Sequence, residues 1–259
     1  MGEHTIREIL RRRSPDTQRA MKRRRELAGV GSGNKLVPVL VILAVLLAIL
    51  GYAGHLGWVA RGAGQRFGAE QAAHPHELLL AGTTEFLPNT LLASFDPKFY
   101  NPATLDGAAL THRLLKLYYP DASGLELRVM SVSVEAQYPK TDIMESFINQ
   151  VPMGDASHPI KGLAAASNFY FGKPFAQLAP QDIALLVALM KDPVGLDPRI
   201  SPEKAYDARN LALQADLAQN VLSQAQVDNL SKMPLDVIPL AAPAPAAAPP
   251  PAPQAQPKH

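Results

Sequence analysis

The side chains able to do chemistry in this chain are few, and most lie in its middle third. Glu135 and Glu145 are carboxylates set in helical stretches, and Asp96 follows Phe95 directly. One glutamate in an apolar pocket suffices for a general acid, because loss of water keeps the carboxyl protonated. Arg113, Lys116, Arg128 and Lys140 are candidates for a cationic patch that takes a pyrophosphate or an anionic lipid headgroup. The plain alternative is that these four sit on solvated helix faces. Asn149 is carried with them as a substrate-binding candidate, although closing a helix suits a role in backbone packing. His74 and His76 flank Pro75, but no set of Asp, Glu or Cys surrounds them to complete a metal site. With no cysteine in the chain, disulfides and thiolate metal sites are excluded. No metal and no cofactor is expected.

The elements that must carry these groups divide sharply by charge. Residues 1–35 hold ten Lys or Arg against four Asp or Glu, whereas the chain from Arg61 onward holds fifteen against nineteen. A basic head on a mildly acidic body argues against nucleic-acid binding, which places its charge on the folded surface. Between them, Leu36–Ala60 contains no ionised residue, only His55, over 25 residues. That exceeds the roughly 20 residues a helix needs to cross hydrocarbon. Pro38 falls in its first turn, where a missing N–H costs nothing. Tyr52 and Trp58 near its far end suit the lipid–water boundary. The runs Arg11–Arg13 and Lys22–Arg25 precede it, so the positive-inside rule places the N-terminus in the cytoplasm and the rest outside. A cleaved signal peptide would have a shorter apolar stretch.

The expected organisation is a basic cytoplasmic segment (1–35), a transmembrane helix (36–60), a polar connector (61–76), a helical domain (77–238) and a Pro/Ala-rich tail (239–259). Ile143, Met144, Phe147, Ile148 and Val151 recur at spacings of three and four and form one apolar face. Ile183–Met190 is apolar on every side, too short for a bilayer, and predicts a helix buried at the centre of the domain. Ser201-Pro202-Glu203 predicts a capped helix start, with the helix running towards Val221. The tail, with eight prolines from Pro239 to His259, cannot bury enough apolar surface to offset its ordering entropy.

From Tyr138 to Leu213 the motifs are specific. Lys140-x-x-Ile143-Met144-x-x-Phe147-Ile148-Asn149 is followed by Gly162, then by an Ala-rich segment ending in Tyr170-Phe171-Gly172-Lys173. Then come the Leu178–Met190 run, Lys191-Asp-Pro193 with Asp197-Pro198, Pro202-Glu203-x-Ala205, and Arg209-Asn210-x-x-Leu213. This order resembles the C-terminal half of the family 51 glycosyltransferases, the domain of class A penicillin-binding proteins and monofunctional peptidoglycan transglycosylases. The resemblance implies an all-α, lysozyme-like domain, here truncated, behind a single transmembrane helix in the bacterial cytoplasmic membrane, with the domain on the periplasmic side.

The N-terminal half of the domain is less faithful. In the family one glutamate acts as base on the attacking sugar hydroxyl, and a second acid helps stabilise the departing pyrophosphate. The first belongs to a Glu-Asp-x-x-Phe-x-x-His motif, against which this chain has Phe95-Asp96-x-x-Phe99-x-x-Pro102. The second belongs to Arg-Lys-x-x-Glu, set against Arg128-Val129-x-x-Val132. Thus Phe95 and Val132 stand where the resemblance implies glutamates, and of the acids in these motifs only Asp96 is retained. A third motif, Gly-x-Ser-Thr-x-Thr-Gln-Gln, is either degraded to Asp106-Gly107 through Lys116 or deleted, and the interval is shorter than in the family. The expectation is therefore a pseudo-glycosyltransferase, a structural or regulatory component of a cell-envelope assembly. Its expected partners are envelope proteins, the membrane and, through residual contact, peptidoglycan or its lipid-linked precursor. The rival readings are a divergent polymerase and a glycan-cleaving, lysozyme-like enzyme, with Glu135 and Glu145 as the nearest acids.

Overall fold

The computed structural model describes residues 36–74, 76–101 and 108–239, with Arg19 and Arg23 besides. The basic runs of the first 35 residues (Arg19 and Arg23 apart), Pro75, the motif positions Pro102, Asp106 and Gly107, and the Pro/Ala-rich residues from 240 onward lie outside the described residues. The described residues are helical, as expected: their only β pairing is one isolated bridge, Pro152 to Lys161. Two compact units divide the chain between His55 and Leu56.

Helix α1 spans Leu36–Ala73. Among the described residues it is the one helix long and apolar enough to cross a membrane, with a mean hydropathy of 2.8 over its most apolar window. Its residues in the first unit are exposed along every face, as a lipid-facing helix requires. The connector expected over 61–76 is instead helical through Ala73. The reason is packing: Ala63 and Phe67 are fully buried in the core of the second unit, and the Phe67 ring meets Tyr138 edge-on at 4.6 Å between centroids. Gly68 permits this approach, since a Cβ there would come within 2.5 Å of the Tyr138 hydroxyl.

The rest of the second unit follows in order: a short 3-10 turn at Leu80–Gly82, then α2 (Phe86–Phe95), α3 (Ala109–Tyr118), α4 (Gly124–Gln137), α5 (Lys140–Gln150), α6 (Leu163–Phe171), α7 (Pro180–Leu189), α8 (Pro202–Ala218) and α9 (Gln224–Leu230). The apolar run becomes α7, with every residue from Ile183 to Met190 buried. The face of α5 predicted from its spacing is likewise buried, from Ile143 to Val151. At α8 the Pro start holds, but the Ser201 side chain makes no capping hydrogen bond, and the helix closes at Ala218 rather than near Val221. The chain turns there because Asn220 has a φ of 58°, and the Val221 N–H returns to the Asp216 carbonyl at 2.8 Å.

Asp216 is fully buried, with Thr90 of α2 donating to its Oδ2 at 3.0 Å and its Oδ1 without a partner among the described residues. Burial pushes its pKa from 3.8 to about 6, the Thr90 bond offsetting only part of that shift. The neutral acid is thus favoured in the folded state, so the group's contribution is full below pH 4, falls as pH rises to 6, and is constant above. Asp216→Asn is expected to stabilise the domain at pH 7.5 by about 2 kcal/mol. The gain should vanish near pH 4, as read by thermal unfolding of the detergent-solubilised chain at both pH values. At Gly162 the φ is +80° and a Cβ would lie 2.5 Å from the Asn149 carbonyl oxygen. Gly162→Ala should cost about 2 kcal/mol or more in the same assay.

Candidate functional site

Helix α3 brings the candidate cations to a groove. It begins at Ala109 after a residue, Ala108, whose side chain cannot cap it. Two acids from elsewhere do so: Asp96 Oδ2 accepts the Leu110 N–H at 3.2 Å, and Glu135 Oε1 accepts the Ala108 N–H at 2.7 Å. Carboxylates at a helix N-terminus satisfy orphan donors and complement the dipole. One turn further on, His112, Arg113 and Lys116 line a groove of about 370 Å³, opposite Phe147, Val151, Met190 and Pro193.

Phe95 lies beside this groove. Its ring is 9% exposed and packs edge-on against Phe147, with centroids 5.9 Å apart. The Arg113 guanidinium sits 4.9 Å from the Phe95 centroid and the Lys191 ammonium 5.4 Å from it. Neither cation has an ion-pair partner among the described residues. Burial, and then the charge of Arg113, hold the Lys191 pKa below its ordinary value. Two cations therefore converge on a ring that offers only its π-face in place of a counter-charge. Lys191 was not among the residues singled out from the sequence; its place in the Lys-x-Pro step was the available signal.

The other candidates do not join this cluster as one patch. Lys116 donates to the Pro120 carbonyl at 2.9 Å. Lys140 is bound to Glu135 at 2.5 Å and lies 4.5 Å from the Phe99 ring. Arg128 is exposed on α4. Asn149 clasps Leu78, accepting its N–H at 2.9 Å and donating to its carbonyl at 2.8 Å, and also donates to the Glu145 carbonyl. Phe95 is buried, whereas Val132 is 42% exposed on the outer side of α4.

Both glutamates have structural partners. Burial pushes the Glu135 pKa up, but the hydrogen bonds from Lys140 and from the Ala108 N–H outweigh it and hold the carboxyl below its ordinary value. That is the reverse of what a general acid requires. Glu145 accepts the Leu80 N–H at 2.8 Å and lies 3.4 Å from His76 Nδ1, while the Ser146 hydroxyl lies 3.3 Å from His76 Nε2. Ser146 is fully buried, so this Ser–His–Glu chain straps residues 76–80 to α5 and offers no accessible nucleophile. A second cavity, of about 670 Å³, has Arg66, Glu70, Tyr118, Gln150 and Lys161 among its lining.

Residues 123–216, which include Glu135, Lys140, Glu145, Asn149 and Lys191 but not Phe95 or Arg113, match the transglycosylase family model. This part of the chain is thus similar to a transglycosylase domain, and the chain is similar to proteins named penicillin-binding proteins. It is 30% identical over 195 residues to penicillin-binding protein 1B of Escherichia coli (strain K12), covering 64% of this chain and 23% of that protein. It is 32% identical over 136 residues to penicillin-binding protein 1A of Aquifex aeolicus (strain VF5), covering 51% of this chain and 18% of the relative. The chain therefore spans less than a quarter of the length of these relatives. Among solved structures, penicillin-binding protein 1A from Haemophilus influenzae aligns over 63% of this chain and 18% of its own, at 20% identity and a TM-score of 0.43.

Because Lys191 is more easily deprotonated in the folded state, its charge opposes folding at every pH below its depressed pKa, and stability rises as pH passes upward through that range. Lys191→Met should raise the Tm at pH 7, and only slightly, because the side chain is exposed and solvent screens its charge. The difference should shrink at alkaline pH, as followed by circular dichroism.

Proposed function

We propose that this chain is a membrane-anchored, exported pseudo-glycosyltransferase, which keeps the helical frame of a transglycosylase domain and serves a cell-envelope assembly as a structural or regulatory component. The observation that carries this reading is the Phe95 site. Where the sequence resemblance implies the catalytic base, this chain has a phenyl ring with the Arg113 and Lys191 cations 4.9 and 5.4 Å from its centroid. A phenyl ring accepts no proton, and loss of one member of a catalytic set costs orders of magnitude in rate. The acids that remain nearby support the same conclusion. Asp96 and Glu135 cap α3, and Glu145 holds the 76–80 segment. Each of the three carboxylates is thus engaged in a structural hydrogen bond.

The cations of the groove, Arg113 and Lys116, with Lys191 beside Phe95, supply the chemistry for residual contact with a phosphate-bearing precursor. The apolar α1 supports anchoring in the cytoplasmic membrane, and the basic residues before it support a cytoplasmic N-terminus. Purified full-length protein incubated with lipid-linked disaccharide-peptide is expected to give no glycan polymer on a gel, and to release no fragments from purified sacculi. Polymer that disappears in an Asp96→Asn variant would establish the divergent-polymerase reading instead. Soluble fragments lost on Glu135→Gln would establish the hydrolase.

A further inference from the structure

We propose that the second cavity is a binding site for a short peptide with free termini, its ammonium taken by Glu77 and its carboxylate by Lys161 and Arg66. The inference does not rest on the reading proposed above. At about 670 Å³ the cavity falls within the range of small-molecule sites, roughly 300–1,000 Å³. Its lining comes from α1 beyond Leu56, from Glu77, and from α3, the end of α5 and the start of α6, all within the second unit.

The charges on the lining select the ligand. Arg66 and Lys161 stand against Glu70 and Glu77, with His74 beside them. Three of the five are already matched: Arg66 lies 3.8 Å from Glu70, which also meets His74 at 3.3 Å. Neither Glu77 nor Lys161 has an ion-pair partner among the described residues. A lone anion would suit Lys161 and be repelled by Glu77, and a lone cation would meet the converse. A molecule with one ammonium and one carboxylate completes both. The guanidinium of Arg66, with five donors and only a long contact to Glu70, can share that carboxylate.

These groups are carried on fixed backbone. Glu77 lies between His76, which contacts Ser146 and Glu145, and Leu78, which is clasped by Asn149. Lys161 sits at the bridge to Pro152, and the Gly162 N–H beside it donates to the Val151 carbonyl at 2.9 Å. Arg66 is steadied 5.2 Å from the centroid of the Tyr119 ring. Charges fixed before the ligand arrives lower the cost of binding it. The lining also includes Ala73, Gly162, Ala164 and Ala165, whose short side chains let a peptide main chain come close. That favours a peptide of small residues over a bulky zwitterion.

The full-length protein in detergent, titrated with trialanine at pH 7 and followed by saturation-transfer NMR, is expected to show saturable binding. N-acetylation removes the peptide's ammonium and C-amidation its carboxylate. Each should weaken binding by about tenfold or more, the worth of one charge-assisted hydrogen bond. Glu77→Gln should weaken trialanine by a similar factor yet leave the N-acetyl peptide unaffected, and Lys161→Gln should likewise spare the C-amide. Lys204→Gln, exposed on α8 and outside the lining, should change nothing. Circular dichroism checks that the variants, all at exposed positions, keep the fold. The capped peptides test the unaltered protein, so the outcome does not hang on the variants alone. No saturable binding of trialanine, indifference to capping, or an equal loss on Lys204→Gln would each overturn the site. An N-acetyl peptide weakened by Glu77→Gln as much as trialanine would overturn it too, since altered shape rather than a lost charge pair would then be acting.

Discussion

The start of α3 depends on acids supplied by other helices. Ala108 cannot satisfy the first N–H groups of that helix, so Asp96 and Glu135 reach in to do so. Unmet, those donors would each cost about 1–3 kcal/mol in a buried setting. The arrangement ties the end of α2, the start of α3 and the end of α4 together, and Lys140 at the start of α5 joins through Glu135. It also fixes the rotation of α3 about its axis, which aims Arg113 at Phe95 and leaves Lys116 at the groove. Carboxylates engaged in this way are occupied by structural partners. The same contacts that make the fold possible thereby withdraw two acids from acid–base chemistry.

The electrostatics around Phe95 add a second layer. Partial burial of Lys191 chiefly, and then the charge of Arg113 close by, depress its pKa. An aromatic face compensates in part, as the quadrupole attracts a cation above it. The site is therefore electrically unfinished rather than merely apolar, and a phosphate or carboxylate would complete it.

Much of this was legible in the sequence. The unbroken apolar run of α7, the three-and-four spacing of α5 and the long span of α1 each encode burial in composition or period, which local pattern reads well. The continuation of α1 through Ala73 was hidden, because the Gly- and Ala-rich stretch from Arg61 has poor intrinsic order and is held helical by contacts to Gln137 and Tyr138. The sides of α4 were equally obscure: with apolar residues on two sides, its period fits either orientation, and only tertiary contacts choose. Hence Val132 faces outward. The convergence of Arg113 and Lys191 on one ring spans residues far apart in sequence, and no spacing rule brings them together.

The last described stretch of the chain is clamped rather than loose. Arg209, 1% exposed on α8, donates to the carbonyls of Ser231, Met233 and Pro234, and the Ile238 N–H bonds the Tyr170 carbonyl at 2.7 Å. One buried guanidinium thus gathers the turn after α9, and a single backbone bond pins the end of this stretch against α6. A mechanical load entering from the C-terminal side would meet these bonds one after another. The Ile238 contact would give way first and the Arg209 fork last, so tension would peel the strap from its end while α6 and α8 stay seated.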